Sequence, residues 1–273
     1  KYHSVNFNSG EVKFKIRFHE KNDKNAWIDD SSTKPKHFPD RTFDLDLAEK
    51  SIKLLKENKK IQLKSIKNSK QHRKPKPPFT TDTLLQASNS SLGWSLKKTS
   101  DIAGELYNLG HITYIRTDST RTNQDARKEI KEYISNEFGN DYIGQGVLGN
   151  DTKKESSKIQ DAHEAIRPTR PKINEIDEKD DDLKKLYRLI WSRFAGSQMS
   201  DSIRENRSIN AVTKGLDKDI TGSLSWRIHS GWEEVFQEYH GKVRTKPPEN
   251  KLEIDEVWSI DINNDNPELI SEQ

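Results

Sequence analysis

Apolar residues fall on alternate positions near both ends of this 273-residue chain and at helical spacing through its middle, so no single repeating architecture accommodates it. Near the start, Val12, Phe14, Ile16 and Phe18 alternate with Lys13, Lys15 and Arg17, which predicts a half-buried strand with one charged face. Asp46 with Glu49 reads as a capping box before Leu47, Ala48, Ile52 and Leu55, giving a helix to about Lys59. Ile61 to Leu63 and Ser65 to Ile66 suggest a second strand. The Lys- and Pro-rich stretch from Lys70 to Pro78 then reads as a linker or crossover, because Pro75, Pro77 and Pro78 forbid regular helix.

The middle is helical. Thr83 with Gln86 caps a first helix to about Ser91, Gly93 interrupts, and Thr99 or Ser100 caps a second helix carrying Ile102, Ala103, Leu106 and Leu109 up to Gly110. Ile112 to Arg116 follows as a short strand, and helix, turn, helix, strand is the order of a winged-helix module. Asn123 caps a third helix, Gln124 to Phe138, with Ala126, Ile130, Ile134 and Phe138 inward and Gly139 as its stop. The Gly- and Ser-rich span 144–158 reads as a flexible loop, and a helix from Leu183 to near Met199 carries Leu186, Tyr187, Ile190, Trp191 and Phe194. Beyond it, Ser208 to Val212, Ile220 to Ile228, Trp232 to Tyr239 and Leu252 to Ile260 read as strands. The plan is α+β: a β domain built from both chain ends, 1–76 and 204–273, with a mainly helical domain, 77–203, inserted between them.

Only 30% of residues are apolar and 33% are charged, which leaves a modest core, yet six Trp, nine Phe and seven Tyr argue against a wholly disordered chain. The net charge of +3 is small, but its distribution is uneven: eleven basic residues lie between Lys50 and Lys76 against the single acid Glu57, a candidate phosphate-facing surface. From Glu175 to Asp182 six acids stand against one lysine and read as a solvated loop. Cysteine is absent, which excludes disulfides and thiolate metal sites. No secretory signal and no apolar run of membrane-spanning length is visible, so the sequence reads as a soluble, cytoplasmic chain with no membrane partner. A start at Lys1, almost directly in a strand pattern, suggests a piece of a longer protein.

The chemistry concentrates between Gly110 and Thr120. Tyr114 lies two positions before Arg116, and on a strand the two would share a face, placing a guanidinium beside a phenol that can attack phosphorus. Tyrosine is more often a half-buried packing residue, but the polar tail Arg116, Thr117, Asp118 and Ser119 makes a poor core. Arg116 would stabilise phosphate charge and favour the phenolate over the phenol, whose ordinary pKa is near 10. It can also pair with Asp118, and the two roles are compatible. Thr117 and Ser119 read as turn or phosphate-contact residues. His163 has no second histidine at zinc-helix spacing, so the metal reading fails. Asp44 and Asp46 match a metal pair in spacing alone and sit at a helix start as caps.

The stretch from Gly110 to Thr120 resembles the active-site segment of the type IA DNA topoisomerases. Three further stretches agree in that family's order: Pro77 to Leu84 looks like the lead-in to the active-site domain, Leu92 to Thr99 like the next helix boundary, and Ala162 to Thr169 like the downstream histidine motif. The likeness continues through Leu186 to Trp191 and Gln198-Met199, covering residues 77 to 200. It implies a barrel-like antiparallel β arch with an inserted, CAP-like winged-helix domain. Tyr114 would attack single-stranded or negatively supercoiled DNA and hold the 5′ end as a phosphotyrosine. Strand passage and religation would then follow without ATP.

The resemblance also places His163 at the scissile phosphate, with Arg167 and Thr169 in the same patch; Lys97, Lys98 and Arg121 flank the expected winged helix and would grip backbone. The family's Toprim domain, with its acidic Mg²⁺ cluster, has no counterpart here, so Mg²⁺ and the remaining parent domains are expected partners of the full-length enzyme while this fragment binds no cofactor and is inactive alone. A nucleoid-associated setting in the cytoplasm follows. Rival readings are a non-catalytic winged-helix module that binds single-stranded DNA, a topoisomerase III, and the topoisomerase half of a reverse gyrase.

Overall fold

Alternating lysines and apolar residues do form a strand at the start of the chain: β2 (Val12–Arg17) buries Val12, Phe14 and Ile16 and exposes Lys13 and Lys15. It closes an antiparallel hairpin with β1 (Tyr2–Ser9) through Gly10, whose φ of 55 is a conformation that L side chains rarely adopt. The structure, a computed structural model, describes residues 2–20, 23, 26–29, 36–147, 164–239, 243–248, 252–263 and 265–272. Two compact units divide the chain: residues 1–71, 205–226 and 244–273 make the first, and 72–204 with 227–243 the second.

In the first unit, a short hairpin of β3 (Trp27–Asp29) and β4 (Lys36–Phe38) precedes α1 (Leu45–Asn58), which packs on β1. Asp44, not Asp46, caps α1 by accepting from the Leu47 amide, and Lys59 ends it in the left-handed region. The main sheet adds β5 (Lys60–Arg73), β6 (Ser202–Val212), β7 (Asp219–His229), β8 (Val257–Ser259) and β9 (Glu268–Glu272), in the order β8-β5-β6-β7-β2-β1-β9. Its core gathers Phe7, Phe14, Leu55, Leu63, Ile209 and Ile220. Phe14 stacks on Phe7 at 5.4 Å and pairs in register with Gly222 of β7; a Cβ on Gly222 would come within 2.6 Å of the Phe14 ring, so only glycine leaves room for it.

The second unit is mainly helical. Thr80 opens α2 (Thr81–Leu92) with a capping box in which Thr83 is the reciprocal partner, three residues earlier than the sequence pattern predicted. Gly93 closes α2 with φ 70, and Ser95, rather than Thr99 or Ser100, caps α3 (Leu96–Asn108). The helix α4 (Gln124–Phe138) runs from the Asn123 cap to Gly139 as the pattern predicts. Asp180 caps α5 (Asp181–Ser197), which buries Leu186, Tyr187, Ile190, Trp191, Phe194 and Ala195 and is enclosed on nearly every side. The indole of Trp191 donates to Pro171 O at 2.7 Å and the Tyr187 hydroxyl to Ile173 O at 2.7 Å, so the polar tips of these two large side chains are satisfied.

Several expectations are corrected. Residues 112–116 form no strand: Ile112 makes an isolated bridge to Pro168 and the chain bends at Ile115. Gly231–Tyr239 is a 3-10 helix rather than a strand, laid on α5 with Phe236 against Gly196. From 252 to 260 only Val257–Ser259 is strand, whereas β5 runs four residues, 70–73, into the basic stretch read as linker. The acid run is not a free loop, since Asp180 caps α5, Asp182 pairs with Lys98 at 2.7 Å and Glu178 meets His111 at 2.7 Å.

Candidate active site

Three of the sequence motifs converge on one extended segment of the second unit. Residues 112–117 lie between the start of α2 and the segment 165–169, tied to each by hydrogen bonds rather than by a ladder. On one side the Thr113 amide donates to Arg167 O at 2.9 Å, the Thr113 hydroxyl donates to Ala165 O at 2.8 Å, and the Arg167 amide donates to the Thr113 hydroxyl at 3.0 Å. On the other side the Thr81 hydroxyl donates to Ile115 O at 2.6 Å and accepts from the Thr117 amide at 2.9 Å, while the Thr81 amide donates to Thr117 O at 2.9 Å. Phe79 O takes the Ile166 amide at 2.8 Å and joins the two flanks.

What this arrangement presents to solvent is Tyr114 and Arg116. Both are exposed, Tyr114 at 45%, while Thr113, Ile115 and Thr117 are half-buried between them. The Tyr114 ring lies edge-on to Tyr107 of α3, with centroids 5.2 Å apart. Two other tyrosines of the unit are more enclosed: burial pushes the Tyr187 phenol up to about 12, and it also raises Tyr239, whose neighbour Glu238 adds repulsion. Buried phenols held in the neutral form are poor nucleophiles, whereas Tyr114 is open to solvent two positions from the exposed Arg116.

The remaining residues singled out in the sequence are placed as follows. Asp118 is exposed and, among the described residues, forms no ion pair with Arg116. The Thr117 hydroxyl accepts from the Ser119 amide at 3.0 Å, and the Ser119 hydroxyl accepts from the Arg121 amide at 3.2 Å, so these side chains shape the turn after Arg116. Arg167 bonds Glu164 at 2.7 Å and Pro168 O at 2.8 Å, with its Nε buried and unpartnered; the Thr169 hydroxyl donates to Gly110 O at 2.6 Å. Lys97 is exposed on α3, while Lys98 lies 4.4 Å over the Trp94 ring and is paired to Asp182. His163 lies outside the described residues. Sequence reading passed over Thr81 and Thr113; their only signal was position, one directly before Tyr114 and the other inside a quoted motif.

Among the described residues no group of three His, Asp or Glu side chains is arranged to hold a metal ion. The described residues therefore offer no such group to Mg²⁺, a hard cation that takes carboxylates and waters in near-octahedral array. None of the described helices is long and apolar enough to cross a membrane.

The second unit carries an exposed tyrosine and arginine on a mixed α and β scaffold, and comparison with known proteins gives the class. The family model described as DNA topoisomerase matches residues 5–268, and the chain belongs to this family, in its type IA bacterial branch. DNA topoisomerase 1 of Thermotoga maritima is 37% identical over 195 residues, 67% of this chain and 29% of that protein. DNA topoisomerase 1 of Escherichia coli strain K12 is 37% identical over 165 residues, 60% of this chain and 18% of its own length. The solved structure of full-length topoisomerase I from T. maritima superposes with a TM-score of 0.69 at 28% identity, covering 95% of this chain and 39% of that one. The chain thus spans about a third or less of the relatives whose sequences it matches.

Proposed function

We propose that this chain is the tyrosine-bearing part of a DNA topoisomerase I that relaxes negatively supercoiled DNA through transient single-strand cleavage. The Tyr114 oxygen attacks a backbone phosphorus, the bond from phosphorus to the 3′ oxygen breaks, and that oxygen leaves with a proton. The 5′ end stays on Tyr114 as a phosphotyrosine. After another strand has passed, the 3′ hydroxyl attacks the phosphotyrosine, reseals the strand and returns the proton to the phenol. The two transesterifications conserve bond energy, so no ATP is consumed and the linking number alone changes. Arg116 binds the phosphate and stabilises its charge in the transition state. His163 acts at the same phosphate as a charge stabiliser or proton carrier.

The observation that carries this reading is the joint exposure of Tyr114 and Arg116 on a segment fixed from both flanks, in a chain of this family. Thr117, Asp118, Ser119, Arg121, Arg167, Thr169, Lys97 and Lys98 form the proposed fringe along which single-stranded DNA lies. We read α2, α3 and the Tyr114 segment as the winged-helix-like element of domain 77–203, and 1–76 with 204–273 as the β arch. In this proposal Mg²⁺ is supplied by an acidic domain in the additional length that the relatives possess, and the setting is the cytoplasmic nucleoid.

The test is a denaturant-trapped covalent complex between radiolabelled single-stranded DNA and the full-length protein. Tyr114→Phe should abolish it and Arg116→Ala should lower its rate by about a hundredfold or more, the scale of losing one transition-state donor. An adduct that survives Tyr114→Phe defeats the reading.

A further inference from the structure

Among the described residues the Tyr114 segment pairs with no strand, and it bends at Ile115, yet a residue that must meet a phosphate has to be aimed. We infer that Thr81 is the positioning residue for Arg116, its one hydroxyl fixing both peptide groups that flank the arginine. The inference rests on the phosphoryl-transfer reading above.

The direction in which a side chain leaves the backbone is set by the φ and ψ of its own residue, and these are the orientations of the peptide planes before and after it. For Arg116 those planes carry the Ile115 carbonyl and the Thr117 amide. The Thr81 hydroxyl proton goes to Ile115 O at 2.6 Å and its lone pair receives the Thr117 N–H at 2.9 Å, so a single oxygen pins both. The Thr81 amide adds a bond to Thr117 O at 2.9 Å. In a sheet a neighbouring strand would supply these partners; here a side chain does.

Thr81 is itself rigidly held. It is the first residue of α2, immediately after the Thr80 cap, and its own backbone takes part in the contact. Preorganisation of this kind lowers no ground-state energy of the substrate, but it removes the cost of ordering the guanidinium when the phosphate becomes charged.

The experiment compares Thr81→Val, which keeps the shape and deletes the hydroxyl, with Thr81→Ser, which keeps the hydroxyl. In the full-length protein, valine should slow formation of the Tyr114 adduct about tenfold, and serine should restore it. In an Arg116→Ala background valine should add no further loss, because the two residues act as one unit. In this chain alone, hydrogen exchange at the Thr117 amide should accelerate about tenfold in the valine variant and stay slow in the serine variant. Thr81→Ala gives the same readings should valine fail to pack. An unchanged rate with valine, a full valine effect on top of Arg116→Ala, or an unaltered Thr117 amide each overturns the inference. Loss of the adduct's dependence on Tyr114 overturns the underlying reaction instead, and the exchange measurement separates the two failures.

Discussion

At the scale of single residues, charge placement matters most where it is buried. Glu233 is 2% exposed and receives Arg73 at 2.9 Å and Arg204 and Arg227 at 3.3 Å each. Burial alone would raise its carboxyl, but the attraction and hydrogen bonds of Arg204, with those of Arg227 and Arg73, outweigh burial and hold it below the ordinary carboxylate value of 4.5. A lowered folded value means that the stabilisation is fully present above the unfolded value near 4.5 and is lost as pH falls through the folded one. Glu233→Gln should cost about 3 kcal/mol near pH 7, since it strands partly buried guanidiniums. The gap between the thermal midpoints of variant and parent should narrow as pH drops below 4.5, and a gap independent of pH would show that the carboxylate charge is not what the arginines stabilise.

At the scale of elements, the sheet and the helices fail in different ways. Gly222→Val in β7 forces a side chain into the space of the Phe14 ring and should destabilise the first unit by about 1–3 kcal/mol. Urea denaturation of the double variant with Phe14→Ala should recover part of that loss, and strict additivity would argue against the clash. Thr80→Ala removes the hydroxyl half of the α2 capping box and should cost about 1 kcal/mol.

How far elements could be read from the sequence depended on where their signals came from. The helix α4 was fully legible because cap, apolar stripe and stop glycine are all local. Residues 231–239 were misread because Trp232, Val235, Phe236 and Tyr239 favour strands by type, although their three-and-four spacing is helical; packing against α5 decided the matter. Tyr114 and Arg116 stood out in the sequence by residue type, spacing and family resemblance, while Thr81 did not, since its partners lie 34 and 36 positions away. The acid run looked solvated for the same reason: Lys98 and His111, which it pairs with, are remote in sequence.

At the scale of the whole molecule, a net charge of +3 conceals a basic tract in which all eleven Lys and Arg residues from Lys50 to Lys76 are exposed. If this tract lies along DNA, binding of single-stranded oligonucleotides weakens as salt rises, each phosphate contact contributing about 0.7 to the logarithmic slope. Replacing Lys67 and Lys70 by glutamate should therefore lower the slope by about 1.4 and weaken binding at low salt, as fluorescence anisotropy would measure. An unchanged slope would place the DNA elsewhere.

Each unit draws on separate stretches of sequence, the second closing only with residues 227–243 and the first only with 244–273. A ribosome delivers the chain from its amino end, so residues 227–273 emerge after the stretches they complete. Until then the face of α5 that the 3-10 helix covers and the β1 edge that β9 pairs with must wait, exposed to chaperones or to neighbouring nascent chains. Slower translation near residue 239 would lengthen that wait.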